Sequence, residues 1–319
     1  MATIKDVAKE AGVSIATVSY VFNKSKKISE QTKARVLTAA EKIGYFPNGA
    51  ARTMKVKSRK IVGAFLDDYS GYFYGELIQG MKTVLKANGY ELVVCSGEKS
   101  HRLLLDKSID GAIVLERSFT DEDLMNHANN GYKIVTLDRK LGRDNISEIL
   151  LDNRKGARLA IEQIRAQGLN QVYVITGPES TYDSNERRVG AREEGQKTQM
   201  GFVEIEGNFT KECGYEAAQR IFKEATDEKV GIFCLNDEMA IGVYNYLKET
   251  NSHEVGKDVF LVGFDNIELA AYIMPRLTTI DYSAYKWGSY AAKSMLNMIE
   301  NERVQNDVID VEMVKGGSC

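Results

Sequence analysis

Three apolar runs in this chain end on a polar side chain of the kind that binds rather than packs. KIVTLD ends on Asp138, VGIFCLN ends on Asn236 with Asp237 next, and VFLVGF is followed by Asp265. Arg187 lies in the polar segment NERRVG, and Phe73 and Tyr74 follow the first apolar run in GYFYGE. Carboxylate, amide and guanidinium groups near aromatic side chains are the materials of a small-molecule site, because a few convergent polar groups fix orientation in a mostly apolar pocket. Several of these residues fall just past the carboxyl end of a parallel strand, the crevice where open α/β sheets bind ligands. Structural roles compete for the same positions. Asp138 and Asp265 can cap helices that follow, Arg187 can join a surface ion pair (Arg188 being better placed for that), Asn236 and Asp237 can divide ligand contact and capping, and Phe73 can belong to the core.

Catalytic signatures are missing. GAREEGQKT from Gly190 resembles a phosphate-binding GxxxxGK[ST] loop, but Gln196 displaces the lysine by one place and no strand precedes it. No G-x-G-x-x-G or G-x-S-x-G occurs, and His101, His127 and His253 stand in polar helical or loop settings that give a nucleophile no evident base. The four cysteines, at 95, 213, 234 and 319, form no CxxC pair or Cys/His cluster with metal-ligand spacing. The expectation is therefore no enzyme, no metal, no cofactor, and reduced thiols.

The elements that must position these residues follow from length and patterning. At 319 residues, 43% hydrophobic and 27% charged, the chain has globular composition and room for two or three folding units. Lys5, Asp6, Lys9 and Glu10 interrupt the start where a signal peptide needs an apolar stretch, and no run of 18 apolar residues follows, so a cytoplasmic location is expected. The net charge of -3 conceals an asymmetry. Residues 1–60 hold 13 Lys and Arg against 4 Asp and Glu, or +9, while the remainder holds 29 against 41, or -12. A basic head on an acidic body is the footprint of a small domain that meets a polyanion and a larger one that does something else.

The head reads as three helices. Ile4, Val7, Ala8 and Ala11 share one face of a helix that Thr3 can cap, and Gly12-Val13-Ser14 supplies a turn and a second cap. IATVSYVFN then turns Val18, Val21 and Phe22 inward, and a helix pair joined by a three-residue turn containing Gly is a helix-turn-helix. The third helix starts at Ser29, faces Val36, Leu37, Ala40 and Ile43 inward, and stops at Gly44. GAARTMKVKSRK is a small, basic linker that alone would be marginal as a helix. From Ile61 onward, strand-like and helix-like segments alternate in two successive series, which argues parallel sheets covered by helices. Tyr285 to Met298 is a closing helix with Trp287, Ala291, Ala292, Met295 and Leu296 available for packing, and DVIDVEMV reads as one last strand.

IKDVAKEAGVSIATVSYVFN, FPNGAARTM, NDEMAIG and VGFDN, occurring in that order, together resemble the LacI/GalR family of bacterial transcription regulators. The resemblance covers nearly the whole chain. It implies an all-α helix-turn-helix head over 1–46, a hinge helix and linker over 47–60, and an α/β body over 61–319 resembling periplasmic sugar-binding proteins. The body would comprise two doubly wound parallel-sheet lobes, one of about 61–152 plus 285–305, the other of about 153–284 plus the C-terminal strand. It further implies a repressor that binds a pseudo-palindromic operator in double-stranded DNA as a homodimer, with a small-molecule effector, by family a sugar or sugar derivative, between the lobes. Relatives that use a phosphorylated phosphocarrier protein as corepressor supply the alternative.

By that resemblance Ile15, Ala16 and Tyr20 face the bases in the major groove, while Thr17, Ser19 and Asn23, with Thr3 and Ser14, bond phosphates. Tyr20 replaces the family's usual arginine; it cannot grip guanine in a bidentate fork, so the operator should differ from the common one. The hinge matches Asn48 to Met54, with Met54 in place of leucine as the wedge between base steps and Arg52, Lys55 and Lys57 as nearby cations. The effector set is Phe73, Tyr74, Asp138, Arg187, Asn236 and Asp265. One stretch departs from the family: between Cys95 and Asp110-Gly111 a helix that borders the dimer contact in relatives has lost about two turns. The chain also stops at KGGSC without a leucine-heptad tail, which favours a dimer over a tetramer.

Overall fold

In the computed structural model, which describes residues 2–23, 28–45, 58–225, 228–301 and 303–319, the chain divides into two units, Met1–Lys57 and Ser58–Cys319. In the first unit, helix α1 spans Ile4–Glu10, α2 Ile15–Asn23 and α3 Glu30–Lys42. Thr3 caps α1 in a reciprocal box: its backbone N–H donates to Asp6 Oδ2 at 2.8 Å and its Oγ1 accepts from the Asp6 N–H. Ser14 caps α2 by accepting from the Thr17 N–H at 3.0 Å, and Ser29 caps α3. Gly12, at φ +60°, makes the turn between the first two helices, a conformation in which glycine has no Cβ penalty. Val7, Val18 and Val36, one from each helix, are completely buried at the centre of the unit. One expected core residue does not belong there: Leu37 is 45% exposed, and Ala39 is buried in its place, because the α3 stripe rotates toward Val36, Ala39 and Ala40.

The second unit contains β1 Ile61–Leu66, α4 Gly71–Ala87, β2 Glu91–Cys95, a 3-10 turn Glu98–His101, α5 Arg102–Leu105, β3 Gly111–Leu115, α6 Asp121–Asn129, β4 Lys133–Thr136 and β5 Ile146–Leu151. There follow α7 Asn153–Arg165, β6 Gln171–Ile175, α8 Tyr182–Lys197, β7 Gly201–Ile205, α9 Lys211–Glu224, β8 Val230–Cys234 and α10 Asp237–Thr250. The last elements are β9 Val259–Phe264, a 3-10 turn Glu268–Ala271, β10 Thr278–Asp281, α11 Ala284–Asn301, β11 Asp307–Ile309 and β12 Glu312–Val314. Two six-stranded sheets result, in the orders β11-β5-β4-β3-β1-β2 and β12-β10-β9-β8-β6-β7. All pairings are parallel except β10 with β12. Each sheet reverses direction beside its first strand, which puts a ligand crevice at the carboxyl ends of the strands.

The chain crosses between the sheets three times: from β5 into α7, from β10 into α11, and from β11 into β12. DVIDVEMV is therefore not one strand. Asp310 and Val311 separate two three-residue strands that serve different sheets. α11 returns to the first lobe and packs along α4 at bare backbone: a Cβ on Gly80 would fall 2.0 Å from the Tyr285 carbonyl oxygen, and one on Gly288 2.1 Å from that of Leu77. The GxxxxGK-like segment lies inside α8, where Gly190 sits against the Arg154 backbone, so its glycine serves helix packing. All four cysteines are free, and among the described residues no helix is long and apolar enough to cross a membrane. In the shortened stretch the 3-10 turn tucks His101 inward. It stacks on Phe119 at 3.9 Å and 8° and lies 3.4 Å from the buried Glu116, so the expected polar setting does not hold for this histidine.

Candidate functional site

Ser14, Ile15 and Ala16 are exposed on the first turn of α2, and Thr17, Ser19 and Tyr20 are half-buried on the same helix, which Asn23 ends. Ile15, at 46% exposure, is a branched apolar side chain at the tip of a basic unit. Such a residue has no packing reason to be there, and it suits a thymine methyl. The Ser14 and Thr17 hydroxyls lie 2.9 Å apart, so the cap organises the helix's leading turn, and Thr3 spends its hydroxyl proton on Asp6 Oδ2 at 2.7 Å. Asn48, Arg52, Met54, Lys55 and Lys57 lie outside the described residues.

In the body, β9 ends on Phe264 and hands the chain to Asp265, whose φ is +109°, followed by Asn266 at +49°. Two consecutive non-glycine residues in this region carry strain of about 1 to 3 kcal/mol each, a cost that persists where the surrounding structure fixes it. The Asp265 N–H donates to the Ile280 carbonyl at 2.8 Å, which fastens the bend to β10. Its Oδ1 accepts from the Tyr282 hydroxyl at 3.0 Å and faces Arg187 Nη1 at 3.4 Å. Arg187, 4% exposed, projects from α8, donates to Asn153 Oδ1 at 2.8 Å and the Leu235 carbonyl at 2.5 Å, and stacks 3.6 Å over the Phe264 ring. Asn153 in turn donates to Asp183 at 2.6 Å. This is a connected, buried polar network at the strand ends, and each added bond strengthens the others in a low-dielectric setting.

Burial pushes the Asp265 carboxyl up to about 6 against the opposing pull of Arg187 and Tyr282, and raises Asp183 as well. An unfolded aspartate titrates near the ordinary value of 3.8. Between about pH 4 and pH 6 the folded chain thus holds a proton that the unfolded chain has lost, so this group's contribution to stability is fully present below that window and falls as pH rises through it, by about 3 kcal/mol in all. Urea unfolding of wild type and Asp265→Asn across pH 4 to 7 should show the variant gaining relative stability as pH rises; a pH-independent difference would contradict the assignment.

Of the six expected cleft residues, Arg187 faces Asp265, and Tyr74 lies within electrostatic reach of Asp138. Phe73 and Asp265 both line a cavity of about 720 Å³ between α4, the turn after β9 and the β10–α11 crossing. Phe73 answers both expectations, since its ring also meets Tyr74 at 4.9 Å and Trp287 at 6.0 Å. Tyr74 turns toward Asp67, Asp68 and Asp138, where burial and those carboxylates push its hydroxyl up to about 12. Asp138 caps no helix; it is held by Arg139 through two bonds of 2.7 Å. Asn236 caps α10, its amide oxygen accepting from the Met239 N–H, and its nitrogen donates to the Phe209 carbonyl, both at 3.0 Å, which leaves one amide N–H for a further partner. Asp237 is completely buried, accepting from the Thr279 hydroxyl at 2.6 Å and the Ile267 N–H at 2.9 Å. Sequence reasoning missed Tyr282, Asn153 and Asp183, although Asp183 stands one helical turn before Arg187 and on its face. It also missed Arg117, which follows β3, grips Asp67 at 2.7 Å and reaches Ser180 of the second lobe at 3.3 Å.

Residues 3–48 match the family model described as bacterial regulatory proteins, lacI family, and residues 161–319 match a periplasmic binding protein-like domain. The chain is 32% identical to the HTH-type transcriptional regulator RegA of Clostridium saccharobutylicum, over 99% of this chain and 98% of that protein. It belongs to the LacI family of bacterial regulatory proteins. As such it is a DNA-binding transcription regulator and not an enzyme. The HTH-type transcriptional repressor PurR of Vibrio parahaemolyticus is 30% identical over 98% of this chain and 96% of its own length. Among solved structures, a sugar-binding transcriptional regulator of the LacI family from Enterococcus faecalis is 42% identical, covers 82% of this chain and 97% of its own, and superposes with a TM-score of 0.76. The family's architecture accounts for both the exposed α2 and the crevice between two like lobes.

Proposed function

We propose that this regulator is a cytoplasmic repressor that binds a pseudo-palindromic operator as a homodimer and responds to a small carbohydrate held in the cleft between its lobes. The observation that carries the reading is the strained Asp265, bonded to Tyr282, paired with Arg187 and lining the 720 Å³ cavity. A carboxylate with a fixed direction and a buried guanidinium behind it binds hydroxyl groups without moving. The repressor name of the Vibrio relative and the sugar-binding description of the Enterococcus regulator support the two halves of the proposal. In this reading 1–46 is the reading head, 47–60 the hinge with Met54 as its wedge, and 61–319 the effector body, with Ile15, Ala16 and Tyr20 at the bases. The cavity favours a small molecule over a phosphocarrier protein as the controlling partner. Titrating operator-bound protein with a panel of sugars tests the proposal: a saturable change in operator affinity is expected from at least one of them, and invariance across the panel would count against it.

The Arg117–Ser180 bond spans the two lobes and so favours their approach. A ligand gripped from both sides benefits from whatever holds the lobes together. Arg117→Ala should therefore weaken effector binding about two- to tenfold, the scale of one partly exposed hydrogen bond, measurable by calorimetry. Unchanged or tighter binding would show that the contact plays no part.

A further inference from the structure

The lining of the interlobe cavity carries charge of one sign. Glu76 from α4, Glu268 from the 3-10 turn after β9, Asp281 at the end of β10, and Asp265 all line it, and no lysine or arginine does. Both lobes and one crossing contribute. Among the described residues no ion pair engages Glu76, Glu268 or Asp281. Three cations of the body have carboxylate partners of their own. Arg187 is buried against Phe264 with Asp265, Asn153 and the Leu235 carbonyl as partners, Arg117 is on Asp67, and Lys211 is 3.8 Å from Glu238. Behind Arg187 lies a further buried carboxylate, Asp183. A walled cleft lined by one sign of charge focuses that field on whatever enters it. Tyr72, Phe73 and Tyr285 give the same cavity aromatic surface, which suits the apolar face of a sugar ring or, by cation–π attraction, an ammonium group.

We infer that the cleft discriminates by ligand charge, accepting a neutral or amino sugar and rejecting sugar phosphates and other anions. The inference rests on the cleft being the effector site. Hydroxyls and ammonium groups can donate to the four carboxylates, whereas a phosphate would face them with no lysine or arginine among the lining residues. Rejection by like charge is specificity achieved through repulsion, and it does not need any contact to be optimised for the correct ligand.

The test uses the full chain in calorimetry and thermal-shift titrations with matched trios: glucose, galactose and mannose, each with its 2-amino and 6-phosphate derivative, at low and high salt. In every trio with a binder, the amino sugar should bind at least as tightly as the neutral one and the phosphate at least about tenfold more weakly, with the gap narrowing at high salt. In a Glu76→Gln/Glu268→Gln variant the ratio of phosphate to neutral binding should also narrow. A phosphate binding as well as its neutral parent, or a ratio untouched by the variant, overturns charge selection while leaving the carbohydrate site standing. Failure of every trio to bind overturns the carbohydrate reading itself and this inference with it.

Discussion

Asp265→Ala is expected to abolish the effector response while leaving operator affinity at the wild-type value. The carboxylate lines the cavity, accepts from Tyr282 and faces Arg187, so its removal takes a charged hydrogen-bonding group directly from the ligand's side of the network. A hydrogen bond to a charged group contributes about 1.5 to 3 kcal/mol, a loss of roughly ten- to hundredfold in affinity. The fold should survive, because Arg187 keeps Asn153, the Leu235 carbonyl and the nearby Asp183. Asp265→Asn, which tolerates a positive φ better than alanine does, gives a second variant in which side-chain charge is removed with less backbone cost. Anisotropy of a labelled operator, with and without sugar, reads both quantities. Normal release of either variant would remove Asp265 from the site, and parallel loss of operator affinity would mean that the residue acts on the fold.

Trp287→Ala should produce a large stability loss in the body. The indole is 1% exposed where α11 meets α4, it packs against Phe73 and Tyr282, and its N–H donates to the Ile149 carbonyl at 2.7 Å. Truncating a buried aromatic of this size costs about 3 to 5 kcal/mol through lost transfer energy and the cavity left behind, and the orphaned carbonyl adds to it. Trp287→Phe, which fills most of the space but cannot donate, should lose about half as much. Urea unfolding followed by circular dichroism is the measurement, since Trp287 is the only tryptophan and its fluorescence disappears with it. A loss below about 1 kcal/mol for the alanine variant would mean that the α4–α11 seam is not what holds the first lobe together. Because the same helix starts at the β10–α11 crossing that lines the cavity, the variant should also blunt ligand binding.

Local signals carried the head and most of the body. Thr3, Ser14 and Ser29 announced three helix starts, and all three cap as expected. Strands with a clear apolar run, such as VFLVGF, appeared where the pattern put them, whereas ISEILL did not stand out, because its six buried residues include Ser147 and Glu148. Those two are tolerated inside the sheet because Ser147 meets Ser294, a partner 147 residues away, and Glu148 accepts from the Leu141 and Gly142 N–H groups at 2.6 Å, bonds that an apolar pattern does not reveal. DVIDVEMV misled for a related reason: its apolar rhythm continues through Asp310 and Val311 although the chain is changing sheets.

The site was legible as a set of residue types and less so as a set of contacts. Asp265 and Arg187 were visible from strand ends and composition, and they do meet. Asn236 has the same strand-end position and also caps its helix, while Asp138 is paired with the very next residue, Arg139. Position past a strand end therefore selects candidates, and their hydrogen-bond partners become visible only in the fold. Tyr282 and Arg117 lie far in sequence from the partners that give them a role, so only the fold could reveal them.

Selection from a random double-stranded DNA library with the purified full chain, at low and at high salt, tests the central claim most directly. Phosphate contacts dominate nonspecific binding and fade with salt, whereas base contacts, proposed here for the exposed turn of α2, carry the sequence preference. Expected is an enriched pseudo-palindrome that survives the higher salt and lacks the family's usual guanine at the position facing Tyr20. Retention that vanishes at high salt with no sequence emerging would contradict the claim that this helix reads DNA.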